Sequence, residues 1–324
     1  MAKVSTQTIN GKAFEYALLN EFLERLKVVT SVTVIENEPF KTALKCFLSF
    51  DEKEQSHYKL VASFAVNFLL DIEPRLANGI NENDVLQLEI VADKAGQTGD
   101  VRDVLAIRSI QKWEIGISAK NNHRAVKHSR LSNDIDFGQK WLGIPCSVNY
   151  FEEIKPVFSN LAKLRTASKA TQKWDTLGDY HTSVYVPVLD AFRNELLRLD
   201  KENPGIVAER LVEYLIGNQD FYKVIKGKNK VEIQAYNLHG TLNLPFENIK
   251  PKAKIQRLKF PNRLIEVVYQ DNSQTTLLVT LNEGWQISFR IHNASSRIEP
   301  SLKFDDINLV SAPHSLFSNQ LFIG

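Results

Sequence analysis

Residues 99–122 read GDVRDVLAIRSIQKWEIGISAKNN and contain two strand-like runs. The first run, at 103–108, is rich in aliphatic residues, and the second, at 113–120, alternates apolar residues with others. Only four residues separate the two runs, so they predict an antiparallel hairpin with its turn centred between Ile110 and Gln111. This hairpin is the starting point for the fold and for the chemistry.

The pairing of the two strands determines which side chains share a face. In the predicted register Asp103 lies opposite Ser118. Directly opposed residues point to the same side, and successive residues alternate, so Asp103, Ser118 and Lys120 project together. The other face of the second strand is predicted to enter the core, and it carries Trp113, Ile115, Ile117 and Ala119.

Outward from the hairpin, helical and strand-like patterns alternate, which predicts an α/β fold. A first amphipathic helix is predicted from Gly11, with Phe14, Leu18, Phe22 and Leu26 at helical spacing. Further predicted elements are helices at 58–72, 134–142, 188–201 and 206–216 and a strand at 85–92.

The C-terminal part of the chain has a different texture. It consists of short β-rich runs separated by turn residues, at 230–238, 263–270, 275–282 and 285–293. We therefore predict an α/β core over residues 1–222 and a β-rich subdomain over residues 223–324.

Composition narrows the class of protein. The chain has 324 residues, 43% of them apolar, which is enough for a large core. It contains no apolar run of membrane-spanning length and begins without a signal-like segment, so we expect a soluble, cytoplasmic protein without membrane contact. Cys46, Cys146 and the seven histidines show no metal-ligand spacing, and no serine-nucleophile or phosphate-loop motif occurs. A zinc enzyme, a disulfide scaffold and a serine hydrolase are excluded on these grounds.

Positive charge is clustered although the net charge is only +2. Residues 115–133, 154–174 and 250–263 lack acidic side chains but contain several lysines and arginines. Three such segments predict a polarised surface that holds a phosphate backbone. For residues 250–263, a solvated surface without a ligand is an equal alternative to a clamp on DNA.

The face shared by Asp103 and Lys120 suits phosphodiester hydrolysis. Cleavage of DNA needs a hard cation, and Mg²⁺ takes one or two carboxylates together with water and substrate oxygens. Asp103 is predicted as the anchoring ligand, and the backbone carbonyl of Ala119 as another. Lys120 is predicted to orient the nucleophile and to offset negative charge. The alternative is that Asp103 caps a strand and Lys120 is an exposed strand end.

Asp103 and Lys120 are 17 positions apart, and the arrangement resembles the PD-(D/E)XK nucleases, in which an Asp opens one strand and D/E-x-Lys lies on the next. A longer resemblance, to the HaeIII-type restriction endonucleases, rests on GKAFEYA at 11–17, GDVRDV at 99–104, ISAKNNHRAVKHSRLS at 117–132 and FRIHNASS at 289–296. This resemblance implies a PD-(D/E)XK core with a central mixed sheet flanked by helices. It also implies blunt cutting of double-stranded DNA at GGCC, beside a cognate cytosine methyltransferase.

The chain departs from the signature at Ser118, where the family pattern has an acidic residue. Glu15, at the start of the first helix, and Asp134, on the predicted helix after the lysine, are candidates for the missing acid. Glu114 lies roughly 20 Å of extended strand from Lys120, too far to share a metal. Asp100 has the wrong parity in a regular hairpin, although a bulge would admit it.

DNA contacts are predicted in the cationic segment that follows Lys120. The candidates are Asn121, Asn122, His123, Arg124, Lys127 and Arg130. Two other functions remain open at this point: a non-catalytic DNA-binding protein with a degenerate site, and a repair or structure-selective nuclease. Cleavage of both strands is compatible with a homodimer or with a single chain that acts twice.

Overall fold

The computed structural model describes residues 6–92, 100–122, 127–167, 172–293 and 295–323. The helices in these residues are α1 (Thr6–Leu26), α2 (Glu38–Leu48), α3 (Glu52–Ile72), α4 (Val148–Ala167), α5 (Val186–Glu202) and α6 (Val207–Ile216). The strands are β1 (Val32–Ile35), β2 (Leu86–Ile90), β3 (Val104–Arg108), β4 (Trp113–Asn121), β5 (Lys127–Leu131), β6 (Phe221–Lys226), β7 (Lys230–Tyr236), β8 (Leu264–Tyr269), β9 (Thr276–Leu281), β10 (Gln286–Asn293), β11 (Leu302–Ser311) and β12 (Phe317–Phe322). None of the described helices is both long enough and apolar enough to span a membrane.

The chain forms two compact units, each built from separate segments. Unit 1 comprises Met1–His123, Gly217–Lys259 and Ser315–Gly324, and unit 2 comprises Arg124–Ile216 and Phe260–His314. These units do not coincide with the predicted division at residue 222. The β-rich C-terminal part is shared, because β7 and β12 complete the sheet of unit 1 whereas β8 to β11 belong to unit 2.

Unit 1 is built on a mixed sheet in the order β1-β2-β3-β4-β6-β7-β12. The pairs β1–β2 and β4–β6 are parallel, and the other neighbouring pairs are antiparallel. Helices α1 and α3 pack on one face, where alternate residues of the central strands form the apolar core. Ile115, Ile117 and Ala119 belong to that core, as predicted.

Helix α2 and strand β1, which the sequence patterns did not predict, both lie in unit 1. Helix α2 begins where the Asn37 side chain accepts a hydrogen bond from the Phe40 N–H at 2.9 Å, and a proline stands in its first turn. These features favour a helix start. Helix α3 begins at residue 52 rather than at residue 58, because the Asp51 side chain caps the Glu54 N–H at 2.8 Å.

Arg108 secures the end of the hairpin that lies farthest from Asp103. Its side chain is fully buried, and its guanidinium donates to the carbonyls of Arg75, Leu76 and Asp84. The Asp84 carboxylate lies 3.9 Å away. A buried charge is tolerated where its hydrogen bonds are satisfied, so this contact fixes β3 against the preceding loop.

Unit 2 contains a second sheet, in the order β5-β11-β10-β9-β8, whose buried face packs with aromatic side chains. Phe137, Trp141, Phe192, Phe289 and Phe304 form this aromatic cluster.

The helix predicted at 134–142 is shorter in the structure. A π-helical turn covers Gly138–Leu142, and Asp134 lies in the preceding turn rather than on a helix. The reason is local capping. The Asp136 carboxylate accepts hydrogen bonds from the Gln139 and Cys146 N–H groups, so the helical segment starts after Asp136.

Candidate active site

The hairpin of β3 and β4 has the predicted register. Val104 pairs with Ile117 and Arg108 pairs with Trp113, which carries the alternation of faces through the whole hairpin. Asp103 precedes the first residue of β3, and its N–H donates to the Ile117 carbonyl at 2.8 Å. The start of β3 therefore holds Asp103 beside the C-terminal half of β4.

Asp103 and Lys120 are in direct contact. One carboxylate oxygen of Asp103, Oδ2, accepts the Ala119 N–H at 2.7 Å, Ser118 Oγ at 3.3 Å and Lys120 Nζ at 3.3 Å. Ser118 is buried, whereas the Asp103 and Lys120 side chains remain 22% and 31% exposed. Residues of β4 thus bind the Asp103 carboxylate, while the side chains of Asp103 and Lys120 are both partly exposed to solvent.

The backbone of Ala119 faces the same carboxylate. Because the N–H and C=O groups of one strand residue point to the same edge, the Ala119 carbonyl lies on the edge of β4 that faces Asp103. A carboxylate and a carbonyl are oxygen donors of the kind that a hard divalent cation prefers. The donor set around Asp103 therefore fits Mg²⁺.

Arg102 forms a second cluster beside this pair, and sequence patterns did not point to it. Its guanidinium donates twice to Asp100 at 2.8 Å and once to Glu114 at 2.6 Å. Its aliphatic part lies across Gly116, where an added Cβ would come within 2.0 Å of Arg102 Cδ. Only glycine leaves room for the arginine at this point, two residues before Ser118.

The two acids of this cluster are held by the arginine. Burial raises the pKa of Asp100, but the hydrogen bonds and charge of Arg102 outweigh that effect and hold the pKa below its ordinary value. The Glu114 side chain is 46% exposed, and its Oε1 accepts a hydrogen bond from Arg102 Nη1 at 2.6 Å. Both carboxylates are engaged by Arg102, which argues against either as the acid that replaces position 118.

Glu15 lies in the first half of α1, a helix that packs against β4. It is 5% exposed and pairs with Lys12 at 3.0 Å. A chain of contacts connects this part of α1 with the end of β4. Phe14 packs on Tyr58, the Tyr58 ring lies 5.2 Å from Lys226 Nζ, and Lys226 is the sheet partner of Asn121.

The end of β4 carries two of the predicted DNA contacts. Asn121 has a buried side-chain oxygen that lacks a hydrogen-bond partner among the described residues. Asn122 is exposed, has a positive φ of 54°, and donates its N–H to the Lys226 carbonyl at 2.8 Å. Burial lowers the pKa of Lys226, whose side chain is 8% exposed.

The remaining predicted residues belong to the next part of the chain. His123 and Arg124 lie outside the described residues. Lys127 opens β5 in unit 2, where Arg130 is exposed and pairs with Glu299 at 3.5 Å. Asp134 is also exposed and belongs to unit 2.

A preformed cluster of metal ligands is absent from the part of the chain that the structure describes, where no three histidine, cysteine or acidic side chains converge. In those residues Asp103 is therefore an isolated carboxylate with backbone and lysine neighbours. This matches the departure from the family pattern at Ser118.

The chain is similar to known restriction endonucleases. The family model for the HaeIII restriction endonuclease matches residues 11–313. The chain is 41% identical over 310 residues to the type II restriction enzyme HaeIII of Haemophilus aegyptius, a match that covers 95% of each chain. No solved structure matches. The match favours a site-specific nuclease over the non-catalytic and repair alternatives. The chain belongs to the HaeIII restriction endonuclease family and is a type II restriction endonuclease.

Proposed function

We propose that the protein uses Mg²⁺ to hydrolyse both strands of double-stranded DNA in the middle of GGCC sites, leaving blunt ends. The observation that carries this proposal is the contact of Asp103 with Ala119 and Lys120 on the β3–β4 hairpin. The mixed sheet of unit 1, with its helices, is what a PD-(D/E)XK core requires. The sequence resemblance supplies the GGCC specificity.

Each of the three residues has a distinct role in this proposal. The Asp103 carboxylate and the Ala119 carbonyl would hold the cation, which supplies positive charge at the scissile phosphate and acidifies water. Lys120, whose ammonium lies 3.3 Å from Asp103 and remains partly exposed, orients the attacking water and offsets charge on the phosphate. Ser118 donates a hydrogen bond to Asp103 and fixes its rotamer.

A second acid completes the site, and Glu15 is the first candidate. The packing of α1 on β4 supports it. Asp134 is the second candidate, 14 residues after Lys120 and exposed. Glu15→Gln and Asp134→Asn separate the two: the acid that binds metal should raise the Mg²⁺ concentration needed for half-maximal cleavage, while the other variant leaves it unchanged.

Asn121, Asn122, His123, Arg124, Lys127 and Arg130 contact the DNA in this proposal. The exposure of Asn122 and Arg130 supports these contacts, as does the lack of acidic residues from 115 to 133. The cations of residues 250–263 form a clamp on the backbone. Phosphate contacts position the duplex, and base-edge contacts specify it.

The cellular role follows from the reaction. A restriction enzyme of this specificity acts in the cytoplasm and requires a partner cytosine methyltransferase that protects the host GGCC sites. The two strands of GGCC are equivalent, so a homodimer or a single chain that acts twice can cut both. The mass of the complex with one short GGCC duplex, measured with Ca²⁺ in place of Mg²⁺, distinguishes the two arrangements.

A plasmid of known sequence tests the proposal. Wild-type protein with Mg²⁺ should give the fragments expected from cutting at every GGCC, and chelator should abolish them. Asp103→Asn and Lys120→Ala should leave the plasmid intact, whereas Lys201→Ala, which changes an exposed lysine at the end of α5, should cut normally.

Other digestion patterns would contradict the proposal. Discrete fragments that end at another sequence would refute the GGCC assignment, and a smear would refute site-specific cutting. Normal cleavage by Asp103→Asn would refute the assigned centre. A plasmid methylated beforehand at the cytosines of GGCC should resist the wild-type enzyme.

A further inference from the structure

The sheet of unit 2 carries a cross-strand row of basic side chains on one face. Lys303 of β11 lies between two partners, Arg130 of β5 on one side and His292 of β10 on the other. Directly opposed residues share a face, so these three side chains project together. Arg290 lies two residues before His292 on β10 and belongs to the same face. We call these four residues the basic row.

Burial shows that the basic row is on the outer face of this sheet. Ile291, Phe289 and Phe304, which alternate with the row along β10 and β11, are buried in the aromatic core. Arg290 is exposed, and the Arg130 side chain is 54% exposed. Lys303 and His292 are half-buried. The outer face therefore presents the two arginines to solvent, with Lys303 and His292 partly accessible beside them.

The row brings several basic groups close together. Arg130 and Lys303 are directly opposed across β5 and β11. Arg130 pairs with Glu299 at 3.5 Å, and its side chain is still 54% exposed. A group of basic side chains on one face raises the local concentration of an anionic ligand.

The dimensions of the row match the backbone of a DNA duplex. Three adjacent strands about 4.8 Å apart place the groups of the row over roughly 10 Å. Successive phosphates of one DNA strand rise by about 3.4 Å along the duplex axis, so the row reaches more than one phosphate. Lys and Arg side chains that neutralise phosphates release counterions and bind without regard to sequence.

We propose that Lys303 and Arg290, with Arg130 and His292 of the same row, bind the phosphate backbone of the DNA substrate through the outer face of the unit 2 sheet. This inference rests on the proposed action on double-stranded DNA and adds a contact surface to it. It assigns a function to Lys303 and Arg290, which lie far along the chain from the catalytic hairpin.

The salt dependence of DNA binding tests the row. The wild-type protein, Lys303→Gln and Arg290→Gln are titrated in chelator, so that no cleavage occurs, with a short GGCC duplex and with a duplex that lacks GGCC. Each variant should lower the slope of log Kd against log salt concentration by about 0.9, and it should do so for both duplexes. Lys201→Gln, an exposed lysine in the same unit, is the matched control and should retain the wild-type slope.

Two further measurements separate binding from folding. Lys303→Arg keeps the charge and should restore the wild-type slope. Thermal unfolding of Lys303→Gln should remain cooperative, which shows that a lowered slope reflects lost binding by a folded protein.

Unchanged slopes in both variants would overturn the inference. So would a loss of affinity confined to the GGCC duplex, because that result assigns the residues to base edges. Failure of the proposed function looks different: the wild-type enzyme would then not cut at GGCC in the plasmid digestion, whatever the salt slopes.

Discussion

Two carboxylate clusters lie side by side on the β3–β4 hairpin, and they are built in opposite ways. At Asp103, one oxygen receives three donors, two of them at 3.3 Å, and the side chain is 22% exposed. At Arg102, the arginine side chain is only 9% exposed, and its hydrogen bonds to Asp100 and Glu114 measure 2.6 to 2.8 Å. Two of the three donors at Asp103 are thus at long distance, whereas Arg102 holds Asp100 and Glu114 through short hydrogen bonds.

The difference lies in what holds each carboxylate and not in its exposure. Arg102 engages Asp100 and Glu114, whose side chains are 21% and 46% exposed. Asp103 is 22% exposed and is contacted instead by Lys120, Ser118 and the Ala119 N–H.

The largest effect is expected when Asp103 is changed and the cluster around Arg102 is left intact. Asp103→Asn keeps the size of the side chain but removes its charge, so single-turnover cleavage should fall by about 10³-fold or more. Binding of a GGCC duplex in chelator should remain within a few-fold of wild type. Equal losses of cleavage in Asp103→Asn and Glu114→Gln would show that the two clusters do not differ in function.

Glu73 is a third kind of carboxylate, which is bound by a hydroxyl group and a backbone amide and not by an arginine. It is fully buried and accepts hydrogen bonds from Tyr222 Oη and the Asn243 N–H, both at 2.6 Å. Burial raises the pKa of Glu73 to about 7, against the effect of these hydrogen bonds. Between pH 4.5 and about 7, Glu73 is therefore protonated in the native state but ionised in the unfolded chain, where its pKa has the ordinary value of 4.5.

The sign of the pH effect follows from that difference. The stabilisation is complete below pH 4.5 and is lost as the pH rises towards 7, amounting to about 3 kcal/mol in all. Denaturant unfolding between pH 4.5 and 7.5 should show this decline in wild type, and Glu73→Gln should flatten it. An unchanged slope in Glu73→Gln would assign the decline to other groups.

Gly116→Ala should disturb the cluster around Arg102 directly. The new Cβ would lie 2.0 Å from Arg102 Cδ, so the arginine must leave its place, at a cost of about 1–3 kcal/mol in unfolding free energy. Cleavage should fall as well, since Arg102 precedes Asp103 in the chain. Gly11→Ala is the control, because nothing lies within 4 Å of its Cβ and alanine favours a helix. Equal stabilities of the two variants would contradict the close packing of Arg102.

The smallest effect is expected at Glu114, the most exposed acid that Arg102 engages. Glu114 is 46% exposed, and exposed ion pairs contribute less than about 1 kcal/mol. Glu114→Gln should therefore unfold within about 1 kcal/mol of wild type and cleave at a similar rate. A larger loss of stability would show that Asp100 alone does not hold Arg102.

The hairpin could be predicted because its information is local. Strand alternation and a four-residue connection define its register, and that register places Asp103 beside Ser118 and Lys120. The contact of Arg102 with Gly116 leaves no periodic pattern, because one residue precedes β3 and the other lies within β4. Sequence reasoning therefore predicted that Asp103 and Lys120 lie together, which the structure confirms, but it overlooked Arg102.

Predictions that depended on more distant contacts were less accurate. Asp134 was placed on a helix because the apolar spacing continues to Leu142, but the Asp136 cap delays the helix. The predicted division at residue 222 rests on the change from mixed helical and strand-like patterns to short β-rich runs. In the structure β7 and β12 return to the sheet of unit 1, a pairing between segments some 90 residues apart that no local pattern encodes.

Arg108 has a consequence for the accuracy with which the hairpin folds. A slip of one residue between β3 and its neighbours would turn Asp103 towards the helices and would carry the Arg108 guanidinium away from the carbonyls that bind it. Leaving a buried arginine without acceptors costs several kcal/mol, so the slipped register is less stable than the native one. Asp103 lies five residues away, or about 17 Å along an extended strand. The position of Asp103 therefore depends on the hydrogen bonds of a fully buried side chain at the other end of the same strand.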